Sequence, residues 1–153
     1  MQVTIKAQGL DKAQAKIQEL RDKAQDTAPL MAELAHHLYN VVDTSFEKQQ
    51  TPDGISWNPI KPRKNDKHPE KILYDEGDMQ DTLSAQSNSD EAIVGLNATA
   101  NGYPYPIVHQ FGREDGSIEA RAYMPIHKDG TIYDDTKEEL EEIVEDYIKE
   151  VLE

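Results

Sequence analysis

Three groups of side chains in this 153-residue chain are of types that carry chemistry. Asp75, Glu76 and Asp78 cluster around Gly77. Such a cluster can hold Mg²⁺ for hydrolysis of a phosphodiester. No neighbouring His or Lys completes it and no general base can be placed, so an exposed turn ahead of the Met79–Leu83 segment is the preferred reading. His109, in Tyr105-Pro106-Ile107-Val108-His109-Gln110-Phe111-Gly112, has the chemistry of a general base. No Ser or Cys nucleophile stands in a recognisable motif with it, which favours a packed or interface histidine. His36 and His37 share a helical pattern, but adjacent helical residues point about 100° apart and cannot chelate one ion. These residues therefore give no catalytic, cofactor-binding or metal-binding assignment, and no cofactor is expected.

Charge narrows the partners. The formal net charge is −14 and Cys is absent. An excess of acid argues against general binding to phosphate backbones, which takes clustered Lys and Arg, and against an anionic membrane. One stretch runs the other way. Lys61, Arg63, Lys64, Lys67 and Lys71 face only two acids between positions 61 and 71. Such a loop can touch DNA or an acidic protein surface, or it can be a solvated loop carrying gatekeeping charge. Without Cys there is neither a disulfide nor thiolate chemistry, as suits a reducing cytoplasm. Met1–Lys6 lacks the basic-then-apolar pattern of a signal peptide, and no segment approaches the roughly 20 apolar residues of a membrane span.

The elements that must position these residues follow from periodicity. Val3, Ile5 and Ala7 alternate with polar residues, predicting a strand over 2–8 closed by Gly9. Asp11 is placed to cap a helix carrying Ala13, Ile17, Leu20 and Ala24, running to about Lys23. Leu30, Leu34, Leu38, Val41, Val42 and Phe46 mark a longer core helix over about 29–48, with Pro29 tolerated in its first turn. Residues 50–71, with four prolines, predict a long loop. Thr82–Asn88 and Ala92–Asn97 read as two strands joined at Ser89-Asp90, with Gly95 marking a bulge or close approach. Tyr103–Phe111 predicts a short helix ended by Gly112. Residues 113–120 read as loop, and Ala122–His127 as extended. Thr136 and Glu139 have capping-box spacing ahead of a last helix carrying Leu140, Ile143, Val144, Tyr147, Ile148 and Val151. Residues 134–153 hold ten acids and two lysines. The length suits a single domain, 1–153, of α+β class: a small, mostly antiparallel sheet packed with N-terminal helices and a long C-terminal helix.

The order of the central features carries a resemblance. Phe46 near a helix end is followed by Pro52-Asp53-Gly54-Ile55-Ser56-Trp57, then the basic loop. Ile72-Leu73, Glu76-Gly77-Asp78-Met79 and Val94-Gly95 come next. His109-Gln110-Phe111-Gly112 follows, and then Arg121, Tyr123 and Pro125. The series resembles the virion morphogenesis (tail completion) family of Mu-like and P2-like tailed phages. The family usually has Thr-Gly-x-Leu where this chain has Glu76-Gly77-Asp78-Met79.

The resemblance implies a non-enzymatic assembly protein of the virion, made in the bacterial host cytoplasm. It implies action at the head–tail junction as a homo-oligomeric ring, with other junction or tail proteins as partners. DNA contact would be limited to the basic loop, and no membrane is involved. The candidate interface residues are Trp57, Lys61, Arg63, Lys64, Lys67, His109, Phe111, Arg121 and Tyr123. Arg121 beside Tyr123 can bind a carboxylate of an adjacent acidic subunit. Packing within the subunit competes with the interface reading for Trp57 and Phe111. Two other functions compete with the structural one. One is an acidic adaptor docking on a basic partner through the C-terminal helix. The other is a small metal-dependent hydrolase using Asp75, Asp78 and His109.

Overall fold

The structure is a computed structural model and describes residues 8–22, 26–61, 72–73, 78–99, 102–103 and 105–152. It is α+β: helices α1 (Asp11–Asp22), α2 (Ala28–Lys48), α3 (Asp78–Asp81), α4 (Tyr105–Phe111) and α5 (Asp134–Leu152), with a two-stranded antiparallel sheet of β1 (Ser84–Ser87) and β2 (Ala92–Gly95). No helix among the described residues is long and apolar enough to cross a membrane. The chain divides into two compact units. Among the described residues, those within 40–84 and 95–125 belong to one, and those within 8–39, 85–94 and 126–152 to the other. We call them the aromatic unit and the helical unit.

The helical unit has one apolar core. Ala13, Ile17 and Leu20 of α1 meet Leu30, Met31 and Leu34 of α2, Leu140 and Val144 of α5, and Ile132. Apart from Met31 and Ile132, these are helical-spacing positions of the sequence, brought together because each helix has a single apolar stripe to bury. Val151 departs from the expected stripe and is exposed, since α5 outruns its cover near the C-terminus. Ion pairs flank the core. Glu145 takes Lys16 at 2.8 Å and Lys12 at 3.3 Å, which hold its carboxyl below the usual range. His37 Nε2 lies 2.7 Å from Glu139.

Helix starts differ from the sequence pattern in an instructive way. Gln14 N–H donates to Leu10 O, so Leu10 is the cap and Asp11 lies inside the first turn. There its charge still complements the helix dipole. In α5, Lys137 N–H donates to Tyr133 O, which puts the start before Asp134 and Asp135. Thr136 is therefore a buried first-turn residue and not the cap of a capping box. At α2 the prolyl expectation holds: Met31 N–H donates to Thr27 O and Pro29 sits in the first turn. The Thr27 hydroxyl instead donates to Ser89 O at 2.6 Å, where Arg21 Nη2 also donates at 3.0 Å. One carbonyl in the hairpin turn is thus tied to the end of α1 and the start of α2.

The strands are shorter than the alternation suggested, four residues each, because the flanking positions leave the ladder. A Cβ built on Gly95 would meet nothing within 4 Å, so this glycine is not a close-approach site. Expected strand 2–8 lies outside the described residues except for Gln8. Its N–H donates to Gly130 O (2.7 Å) and its O accepts from Ile132 N–H (3.3 Å), forming a parallel bridge to Thr131. The expected extended run 122–127 forms a single antiparallel bridge, Ile126 to Ile132, and no strand.

Candidate functional site

The motif residues of the aromatic unit converge. Phe46, near the end of α2, packs its ring on Tyr123, stacked with centroids 5.3 Å apart, and meets the edge of Trp57 at 6.0 Å and 80°. Offset and edge-on arrangements are those the ring quadrupoles favour. All three side chains are buried. The chain reaches this geometry through a reversal after α2. Gln49 takes a positive φ of 52°, and its side-chain oxygen accepts from Ile72 N–H. Thr51 N–H donates to Ile55 O, Gly54 N–H to Thr51 O and Ile55 N–H to Thr51 Oγ1, closing a tight turn. Gly54, at φ 91°, supplies a conformation that side-chain-bearing residues disfavour. Trp57 then returns, its backbone N–H on Gln49 O and its indole N–H on Ala122 O at 2.8 Å.

Beneath the rings sits Gln110, a residue the sequence reading passed over between His109 and Phe111. It is buried and uses its amide on both sides: Nε2 donates to Met124 O, and Oε1 accepts from the N–H groups of Tyr123 and Met124. The three bonds clamp segment 123–124 to α4. Tyr123 adds a fourth tie, its hydroxyl donating to Pro106 O at 2.6 Å, and burial pushes its phenol well above the usual value. A buried-capable polar residue amid the apolar positions of a short helix was the available signal, though it named no partner.

Gly112 permits the reversal. Its φ is +74°, and an added Cβ would lie 2.9 Å from Ala120 N and 3.0 Å from Ile118 O. What a side chain there would strike is therefore backbone of the returning loop. Arg121 closes that loop: its N–H donates to His109 O, Nε to Asn58 O and Nη2 to Pro59 O, with Glu119 3.5 Å away. Its side chain is only 11% exposed, so the guanidinium is occupied inside the subunit. His109 lies on α4 edge-on to Tyr105, with Nδ1 buried and without a hydrogen-bond partner among the described residues. Burial, and secondarily Arg121, hold its pKa below the ordinary value. The cluster thus makes a bracket of stacked rings and hydrogen bonds.

Of the remaining candidates, Phe111 is half-buried and Lys61 exposed. Arg63, Lys64, Lys67 and Lys71 lie outside the described residues, as do Asp75 and Glu76. Trp57 and Tyr123 are buried, which favours the packing reading that the sequence left open for Trp57. Among the described residues no group of three or more His, Asp or Glu is arranged to hold a metal ion.

The residues that converge are those whose order carries the resemblance, and the match extends well beyond them. The model of the phage virion morphogenesis family matches residues 8–152, and the chain belongs to that family. No curated protein and no solved structure matches the chain.

Proposed function

We propose that this protein is a structural assembly protein that completes the phage tail at the head–tail junction and works there as a homo-oligomeric ring. Family membership over nearly the whole chain is the observation that carries the reading. The geometry supports it: the motif side chains Phe46, Trp57, Gln110, Arg121 and Tyr123 are spent on holding a bracket rigid. A ring subunit needs such rigidity, since a heterologous contact closes only if each copy repeats the same rotation. The protein is virion-associated, its partners are further junction or tail proteins, and the stretch containing Lys61, Arg63, Lys64 and Lys67 faces either DNA or an acidic neighbour.

The test has two arms. Light scattering coupled to size exclusion, with negative-stain images, reads rings directly over a range of concentration. Complementation of a phage lacking this protein reads its stage: heads and unjoined tails accumulating without it support the junction role, and normal joined particles refute it. Neutralising Lys61, Arg63, Lys64 and Lys67 together is expected to reduce assembly or infectivity. Unchanged values for both would remove the loop from the mechanism.

A further inference from the structure

We infer that Gln49 is a positioning residue: it fixes where the basic stretch 61–71 leaves the aromatic unit and where it returns, so that its charges are presented from one set point. The inference rests on the proposed part of Lys61, Arg63, Lys64 and Lys67 in assembly. Among the described residues only two that are not glycine have a left-handed backbone, Gln49 at φ 52° and Leu73 at φ 58°. That region is uncommon for residues with side chains and persists only where the surroundings impose it. The two stand at either end of the same segment. They are also linked, since Gln49 Oε1 accepts from the N–H of Ile72, the neighbour of Leu73.

Glycine would be the ordinary choice at 49. Helix α2 ends at Lys48, and Gln50 N–H donates back to Ser45 O at 3.1 Å. That bond is the mark of a Schellman ending, which puts the residue after the helix in left-handed backbone. A glycine there makes the turn without strain, but it brings no side chain. Gln49 uses its carbonyl oxygen for Trp57 N–H at 2.9 Å and its side-chain oxygen for Ile72 N–H. One residue thereby holds both limbs of the segment to the end of α2. The outgoing limb is tied further by the Trp57 indole on Ala122 O and by Arg121 on the carbonyls of Asn58 and Pro59. Lys61, Arg63, Lys64, Lys67 and Lys71 all lie between Pro59 and Ile72. With both limbs held, residues 60–71 can carry a charge no further than about 20 Å from the neck, half their extended length. Freed at Ile72, the same charges sample a larger volume, and their effective concentration at a partner's surface falls.

Two variants test this. Gln49→Gly removes the amide and relieves the backbone, and Gln49→Glu keeps an acceptor at the same reach. Melting, hydrogen exchange at the Ile72 amide and complementation of a phage lacking this protein are read on full-length chains. Gln49→Gly should melt close to the wild type and exchange Ile72 N–H about three- to tenfold faster, as loss of one hydrogen bond implies. It should lower the phage titre about tenfold through the weaker presentation of charge. Gln49→Glu should return both exchange and titre to wild-type values. Added to a chain with Lys61, Arg63, Lys64 and Lys67 neutralised, Gln49→Gly should lower the titre no further, because it acts through those charges. Unchanged Ile72 exchange or a wild-type titre for Gln49→Gly would overturn the positioning role. A further loss on the neutralised chain, or a titre lost in step with a lowered melting temperature, would make Gln49 merely structural and overturn it too. If neutralisation by itself costs nothing, the assembly role of the basic stretch falls, and the inference with it.

Discussion

Gln110 shows how much one side chain can organise. Its amide satisfies two backbone N–H groups and one carbonyl in a segment with no regular ladder of its own. Gln110→Leu keeps much of the volume and orphans all three. Each buried orphan costs about 1–3 kcal/mol, so a loss of about 3 kcal/mol or more is expected in urea unfolding. His109 makes a pH prediction. Its folded pKa lies below the unfolded value, so the unfolded chain binds the proton more readily. Stability tied to neutral His109 is present above the ordinary pKa of about 6.5 and is lost as pH falls from there through the depressed folded value. The melting temperature of the wild type should drop across that window more than that of His109→Gln. Parallel curves would show that the imidazole stays neutral for no energetic reason.

At the scale of elements, α4 and the 113–120 loop depend on a backbone that turns left-handed at Gly112. Gly112→Ala meets both a strained φ and the Ala120 and Ile118 backbone, and is expected to cost about 1–3 kcal/mol, read as a lower melting temperature. Helix α5 does a different job. Its buried Leu140 and Val144 close the core made by α1 and α2, while its acids face outward or pair with Lys12, Lys16 and His37. Leu140→Ala should cost about 2–5 kcal/mol through the cavity it leaves. Removing residues 134–153 should unfold the helical unit, read as loss of the cooperative transition. An adaptor that merely displays α5 would instead lose partner binding and keep its fold.

For the whole molecule, net charge makes a prediction about the proposed assembly. Copies at −14 repel one another, and salt at about 0.15 M shortens the reach of that repulsion to about 8 Å. If the proposed rings are held by apolar contacts, they should therefore form at lower protein concentration as salt is raised, measured by light scattering. Assembly that weakens with salt would mean that opposite charges dominate, as between the 61–71 stretch and α5 of a neighbour.

Much was determined by the sequence alone. Three apolar stripes at helical spacing specified α1, α2 and α5 and nearly all of their core, because a stripe of that period has one stable way to be buried. The order of Phe46, Trp57, His109–Gly112 and Arg121–Tyr123 identified the family, and Gly112 announced the end of the short helix before it. Only tertiary structure decided the rest. Helix starts shifted by one to three residues because caps are set by which carbonyl accepts the first bond, not by the nearest Asp or Thr. The guanidinium of Arg121 turned inward because the carbonyls of Asn58 and Pro59, some sixty positions away in the chain, came within reach. Gln110 acquired its role for the same reason. Hydrogen-bond partners distant in sequence leave no local period, so they become legible only when the chain has brought them together.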